Sequence, residues 1–243
     1  MSYNLFDAAA DVAITSGRLP HWEQAGSYYF ITFHAADSLP QAAREACREE
    51  RDRWLLGHGI DPTGPDWRAR LAALAPAERR RFAARFTSVW QRHLDRGHGR
   101  CHLRSPPIRS VVVEALLWFD GQRYGIEAFV VMPNHVHVLV GLPGRGSLAR
   151  QCRSWKQFSA TKINALLRRR GAFWQTESWD RLVRSPESFE RIRRYIVANP
   201  RKAGLEPWEY TLYVKPDNGP KSPVPPWSPV PPWSPVPPEP GQS

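Results

Sequence analysis

Residues 135–140, His-Val-His-Val-Leu-Val, alternate in a way that only an extended strand can exploit. Side chains two apart on a strand share a face, so His135 and His137 lie side by side while Val136, Val138 and Val140 fill the other. A chain with such a strand must bury the valine face, which calls for a sheet covered by helices. The neighbouring segments supply those parts. Residues 28–33 (YYFITF) are β-branched and aromatic and predict a strand. Residues 123–132 predict another, joined through Pro133-Asn134 to the strand at 135–140. Helical spacing covers 108–119, ended by Asp120-Gly121, and 147–170, stopped by Gly171. Residues 173–183 read as extended, and 185–198 as a helix stopped by Asn199-Pro200. Two further Arg-rich helical segments, 40–56 and 66–94, are interrupted by Pro62, Gly64 and Pro65, and form an insertion over about 40–105. Without it the order is strand, helix, hairpin, helix, strand, helix. That order predicts an α+β fold, an antiparallel sheet with helices on one face.

The C-terminal residues follow different rules. SPVPPW occurs at 222–227, recurs at 228–233 and begins again at Ser234. Twelve of the 24 prolines fall between Pro216 and Pro240, too many for helix or sheet, so 215–243 is expected to be a disordered, polyproline II-like tail. Residues 1–214 are then the folded domain. Lys215 and Lys221 cancel Asp217 and Glu239, so the net charge of +11 belongs to that domain. A basic field of this size favours a polyanion, because neutralised phosphates release counterions; nucleic acid is the expected partner. No uncharged apolar run approaches the roughly 18–20 residues of a membrane span, and no basic segment followed by an apolar one opens the chain. Three cysteines with no CxxC do not make a disulfide framework. A cytoplasmic location is expected.

The chemistry centres on two segments. Imidazoles ~7 Å apart along one strand face can converge on one divalent ion, although the same spacing also suits a structural or surface pair. In Tyr195-Ile196-Val197-Ala198-Asn199, positions i and i+4 share a helix face, so Tyr195 and Asn199 project together. A half-buried tyrosine and a helix-ending asparagine are the bland alternative. Taken together, His135, His137 and the Asn199 carboxamide oxygen could hold one ion beside the Tyr195 hydroxyl. Two nitrogens and an amide oxygen, completed by water and phosphate, suit Mg²⁺ or Mn²⁺ rather than a structural zinc.

MPNHVHVLV, SWKQFSATKIN, FWQTESWDRLVRS and YIVANPRKAGL, in that order, resemble the HUH single-strand transposases with one catalytic tyrosine, in particular the REP-associated tyrosine transposases. The resemblance runs from about Leu19 to Leu205 and omits much of the insertion. It implies a ferredoxin-like sheet, metal ligation by His135 and His137, a nucleophilic Tyr195, and Asn199 completing the site. It implies cleavage and rejoining of single-stranded, hairpin-bearing DNA from palindromic repeats through a 5′-phosphotyrosine, with no nucleotide cofactor, by a monomer or homodimer. Ser178-Trp179 stands where relatives often carry Tyr-Phe, which bears on DNA specificity rather than chemistry. A tyrosine of ordinary pKa near 10 needs activation, and the sequence does not name its base.

Around this centre, Lys156, Arg150 and Arg153 lie on the basic side of the 147–170 helix, where phosphate contact competes with a merely solvated face. Arg181 and Arg184, near Trp174 and Trp179, pair cations with aromatics as single-strand recognition requires, although Trp174 fits the core better. Gly97–His102 superficially resembles a metal knuckle but lacks a second ligand pair at finger spacing. Two other classes stay open: a non-catalytic nucleic-acid-binding protein derived from a transposase, and a hydrolase using water at the same ion.

Overall fold

The computed structural model describes residues 3–5, 13–16, 20–79, 81–82, 85–86, 94, 97–144, 147–176 and 178–216. The expected Pro-rich tail beyond residue 216 lies outside them. A five-stranded antiparallel sheet runs in the order β6-β3-β5-β4-β7, built from β3 (Ser27–His34), β4 (Gly125–Val131), β5 (His135–Leu142), β6 (Trp179–Leu182) and β7 (Thr211–Val214). A separate hairpin of β1 (Ala13–Ser16) and β2 (Pro20–Glu23) precedes it. The insertion contributes α1 (Gln41–Gly57) and α2 (Trp67–Ala73). The remaining helices are α3 (Pro106–Leu117), α4 (Ser147–Leu166) and α5 (Pro186–Lys202).

β5 sits at the centre of the sheet and is buried along its whole length, so its two faces feed two cores. Val136, Val138 and Val140 join Ile31, Phe33, Phe129 and Val131 under α3 and α4, with Leu116, Trp155 and Ile163 from the helices. On the reverse face, Leu139 joins Ala128 and Val130 under Ile192 and Ile196 of α5. Each fully buried Val, Leu, Ile or Phe among them contributes about 1.5–3 kcal/mol. The α+β class and antiparallel sheet agree with the sequence. The placement of every helix on one face does not: α5 covers the face opposite α3 and α4. The reason is in β4 and β5, whose second face carries Ala128, Val130 and Leu139, apolar residues that also need a cover.

Three boundaries differ from the sequence reading. α5 continues through Asn199-Pro200 to Lys202. Pro200 lies in the last turn, where it forfeits only its own N–H bond, and the Ala203 and Leu205 amides still bond the Asn199 and Pro200 carbonyls. α4 ends at Leu166, four residues early, because Arg168 adopts a left-handed conformation (φ 47°) before Gly171 does so (φ 95°). The expected 66–94 helix breaks after Ala73: Leu74 is extended and Pro76 opens a new helical turn. At the start of α5, Ser185 caps the helix through the Ser188 amide at 3.2 Å, and Pro186 takes the first position.

Candidate active site

The strand alternation sets the site. His135 and His137 point from β5 toward the α5 side, and both are buried. Opposite them on β3, in register, stand His34 and Thr32. Directly paired residues of antiparallel strands share a face, so these four polar side chains lie together at one end of the sheet.

Each imidazole is held from behind. Asn134 Nδ2 donates to the carbonyls of His98 (3.0 Å) and Leu94 (3.3 Å), which turns its Oδ1 to His135 Nδ1 at 2.7 Å. A carboxamide oxygen only accepts, so Nδ1 of His135 carries the proton and Nε2 presents a lone pair. His137 Nδ1 lies 2.7 Å from Thr32 Oγ1, and Phe30 stacks on its ring. The two Nε2 atoms thereby approach to 3.1 Å. Two nitrogens each ~2.1 Å from one ion, at a right angle around it, stand ~3.0 Å apart. Burial keeps both rings neutral: it pushes the His137 pKa down to about 3 and holds His135 well below its ordinary value, with the His137 and His34 charges adding to the effect on His135. Neutral imidazole is the ligating form.

α5 brings the other two residues. The Tyr195 hydroxyl lies 3.3 Å from His137 Nε2, its ring edge-on to both His137 and Phe30. One turn further on, Asn199 is buried and neither atom of its carboxamide has a hydrogen-bond partner. A buried, unsatisfied amide costs roughly 1–3 kcal/mol, and an ion would take up its oxygen. Two neutral imidazole nitrogens 3.1 Å apart, with an amide oxygen as third donor, would suit a divalent cation with open positions. Among the described residues, no three His, Cys, Asp or Glu side chains form a metal-binding group. Gly97–His102 accordingly holds no such cluster, and the Cys101 thiol instead donates to the Gly97 carbonyl.

The remaining sequence candidates separate. Lys156 ties down the loop before β6, its ammonium on the Thr176 (2.7 Å) and Gln175 (3.2 Å) carbonyls. Arg150 and Arg153 are exposed on α4, in the layer across the sheet from Tyr195. Arg181 of β6 and Arg184 just after it are exposed. Trp174 is in the core against Phe33 and Phe173. The sequence reading missed Thr32, Asn134 and Lys202, whose ammonium lies 5.6 Å from the centre of the Tyr195 ring. Asn134 had one signal, its place immediately before His135. Thr32 looks like any strand residue.

Residues 116–199 match the family described as Transposase IS200 like. That span contains His135, His137, Tyr195 and Asn199, and the match agrees with the resemblance read from the motifs. No curated protein matches the chain. Among solved structures, a REP-associated tyrosine transposase bound to a REP hairpin aligns over 86% of this chain and 99% of its own, at 13% identity and a TM-score of 0.41. A protein of Deinococcus radiodurans R1 provisionally described as a transposase aligns over 71% and 89%, at 13% identity and a TM-score of 0.28. Among the described residues, no helix is long and apolar enough to cross a membrane.

Proposed function

From the similarity of residues 116–199 to the IS200-like transposases, we propose that the chain cleaves and rejoins single-stranded, hairpin-bearing DNA, with Tyr195 as nucleophile and His135, His137 and Asn199 as ligands of Mg²⁺ or Mn²⁺. The observation that carries this reading is the 3.1 Å approach of the two Nε2 atoms with the Tyr195 hydroxyl 3.3 Å from one of them. When bound, the ion supplies Lewis-acid neutralisation of charge on the scissile phosphate.

The chain's own groups do the rest. Tyr195 Oη attacks phosphorus and loses its proton; the bond to the 3′-oxygen breaks, and that oxygen takes up a proton. The products are a 5′-phosphotyrosine and a free 3′-hydroxyl. Attack by a 3′-hydroxyl on the phosphotyrosine reverses the step and rejoins strands, so the bond energy is kept and no nucleotide is consumed. α5 fixes Oη through the Ile192 and Ile196 contacts beneath it, and Phe30 keeps the phenol edge-on. Lys202, over the ring, favours negative charge developing on the phenol. Arg181, Arg184, Arg150 and Arg153 take DNA phosphates in this reading, and Lys156 shapes the loop that carries β6.

The test is a labelled hairpin-bearing single strand incubated with protein and Mn²⁺. A denaturation-resistant protein–DNA adduct that needs metal and is lost in Tyr195→Phe is expected. Tight hairpin binding without any adduct would make the chain a non-catalytic binder, and cleavage without an adduct would make it a hydrolase.

A further inference from the structure

β6 pairs with β3 so that Trp179 stands opposite Thr32 and Arg181 opposite Phe30. Paired residues share a face, so Trp179 and Arg181 lie on the catalytic face, next to the two residues that bond and stack on His137. Asp180 and Leu182 pair with Ile31 and Tyr29 and belong to the reverse face. Among the described residues, α5 packs over β4, β5 and the Tyr28 and Phe30 side chains of β3, with Val183 just past β6. Trp179 and Arg181 lie outside that apolar cluster, Arg181 exposed and Trp179 half-buried.

Two more arginines border this strip. Arg184 follows β6, and Arg191 lies one helical turn before Tyr195 on α5. Arg181 lies within electrostatic reach of the other two: partial burial, then Arg191, then Arg184, lower its pKa. Glu187, on the first turn of α5, is a carboxylate that interacts with Arg191. Gathering like charges costs energy, which a polyanion removes. The aromatic on the strip narrows the choice of polyanion. Stacking on Trp179 needs a bare base face, which a duplex does not offer and an unpaired strand does.

We propose that the catalytic face of β6 is the track for the unpaired arm of the DNA substrate, with Trp179 stacking on one base and Arg181, Arg184 and Arg191 holding neighbouring phosphates. The strand then crosses Phe30 to reach Tyr195. Only this destination rests on the function proposed above; binding to the track does not.

The test uses the full chain with Tyr195→Phe, so that no covalent product forms. Fluorescence anisotropy compares a hairpin bearing an unpaired arm with the same hairpin made blunt. Adding Trp179→Ala, or Arg181→Ala, is expected to weaken the armed hairpin about ten-fold and to change the blunt hairpin by less than about two-fold. Trp179→Phe, which keeps a ring, should restore most of the affinity and guards against a folding defect. Equal losses on both DNAs, or no loss on the armed one, would overturn the track. A wild-type chain that forms no adduct would instead sink the catalytic reading and leave the binding result standing.

Discussion

Asn134 spends one carboxamide on two jobs: its nitrogen holds the Leu94 and His98 carbonyls at the exit of the insertion, and its oxygen fixes the tautomer of His135. Partners behind a metal-binding histidine set ring orientation and basicity. Asn134→Ala is therefore expected to lower Mn²⁺ affinity about 10- to 100-fold, read directly by electron paramagnetic resonance titration of free Mn²⁺. Asn134→Asp should lose less, because a carboxylate still accepts from His135 Nδ1 although it no longer donates to the two carbonyls. If both variants bind Mn²⁺ like wild type, Asn134 is only a turn residue. The three histidines of this region also predict a pH dependence. Burial lowers the folded-state pKa of His34 to about 4 and of His137 to about 3, and lowers His135 as well. Unfolded histidine takes its proton near pH 6.5. Between pH ~6.5 and ~4 the unfolded chain thus binds protons that the folded chain refuses, so stability falls as pH drops through this window. Each histidine contributes up to about 1.4 kcal/mol per pH unit there. Urea midpoints of the metal-free protein at pH 7.5 and 5.0 measure the effect, and equal midpoints would show that these rings are not kept neutral.

At the scale of elements, β7 is tied to α3 through one side chain. Arg109, buried near the start of α3, donates to Thr211 Oγ1 on β7 and to the carbonyls of Leu103, Arg104 and Trp208. Arg104 in turn pairs with Glu209 at 2.9 Å. Removing Arg109 leaves four oxygens to rehydrate or stay unsatisfied, so Arg109→Ala should cost about 3 kcal/mol. The loss should appear first as faster amide exchange in Thr211–Val214, with β5 still protected; uniform exchange across the sheet would mean that Arg109 does not single out β7. Nothing in the sequence announced this strand, because TLYV is short and its anchor lies about a hundred residues earlier. The legible elements were those with a local pattern: the 135–140 alternation gave β5 and both histidines, and the i, i+4 spacing gave Tyr195 and Asn199 on one helix face. The side of the sheet that α5 covers was not legible, since it depends on the path of the connection and not on the helix itself. The run of α5 past Pro200 was hidden too, because a proline in a last turn breaks little, yet the same residue usually marks an end.

At the scale of the molecule, the sheet divides the basic residues into two layers. Arg181, Arg184 and Arg191 border the face that carries His135, His137 and Tyr195, while Arg150 and Arg153 stand on α4 behind it. The layers meet at the β6 side: Cys152 of α4 interacts with Ser178 and Asp180, and Lys156 bonds the loop leading into β6. Arg150 and Arg153 lie across the sheet from Tyr195, so in the proposed reading they are assigned to the hairpin stem and not to the arm. Salt dependence separates the two, because each neutralised phosphate contributes about 0.9 to the slope of log K against log salt for a duplex and about 0.7 for a single strand. Arg150→Ala with Arg153→Ala is expected to flatten the slope for the hairpin by about 2 units while leaving that of an unpaired oligonucleotide unchanged. Arg181→Ala with Arg191→Ala should flatten the oligonucleotide slope by about 1.4 units. If the α4 pair flattened both slopes alike, the arm would have to run through both layers, and the net charge of +11 would act as one diffuse field instead of two separate contacts.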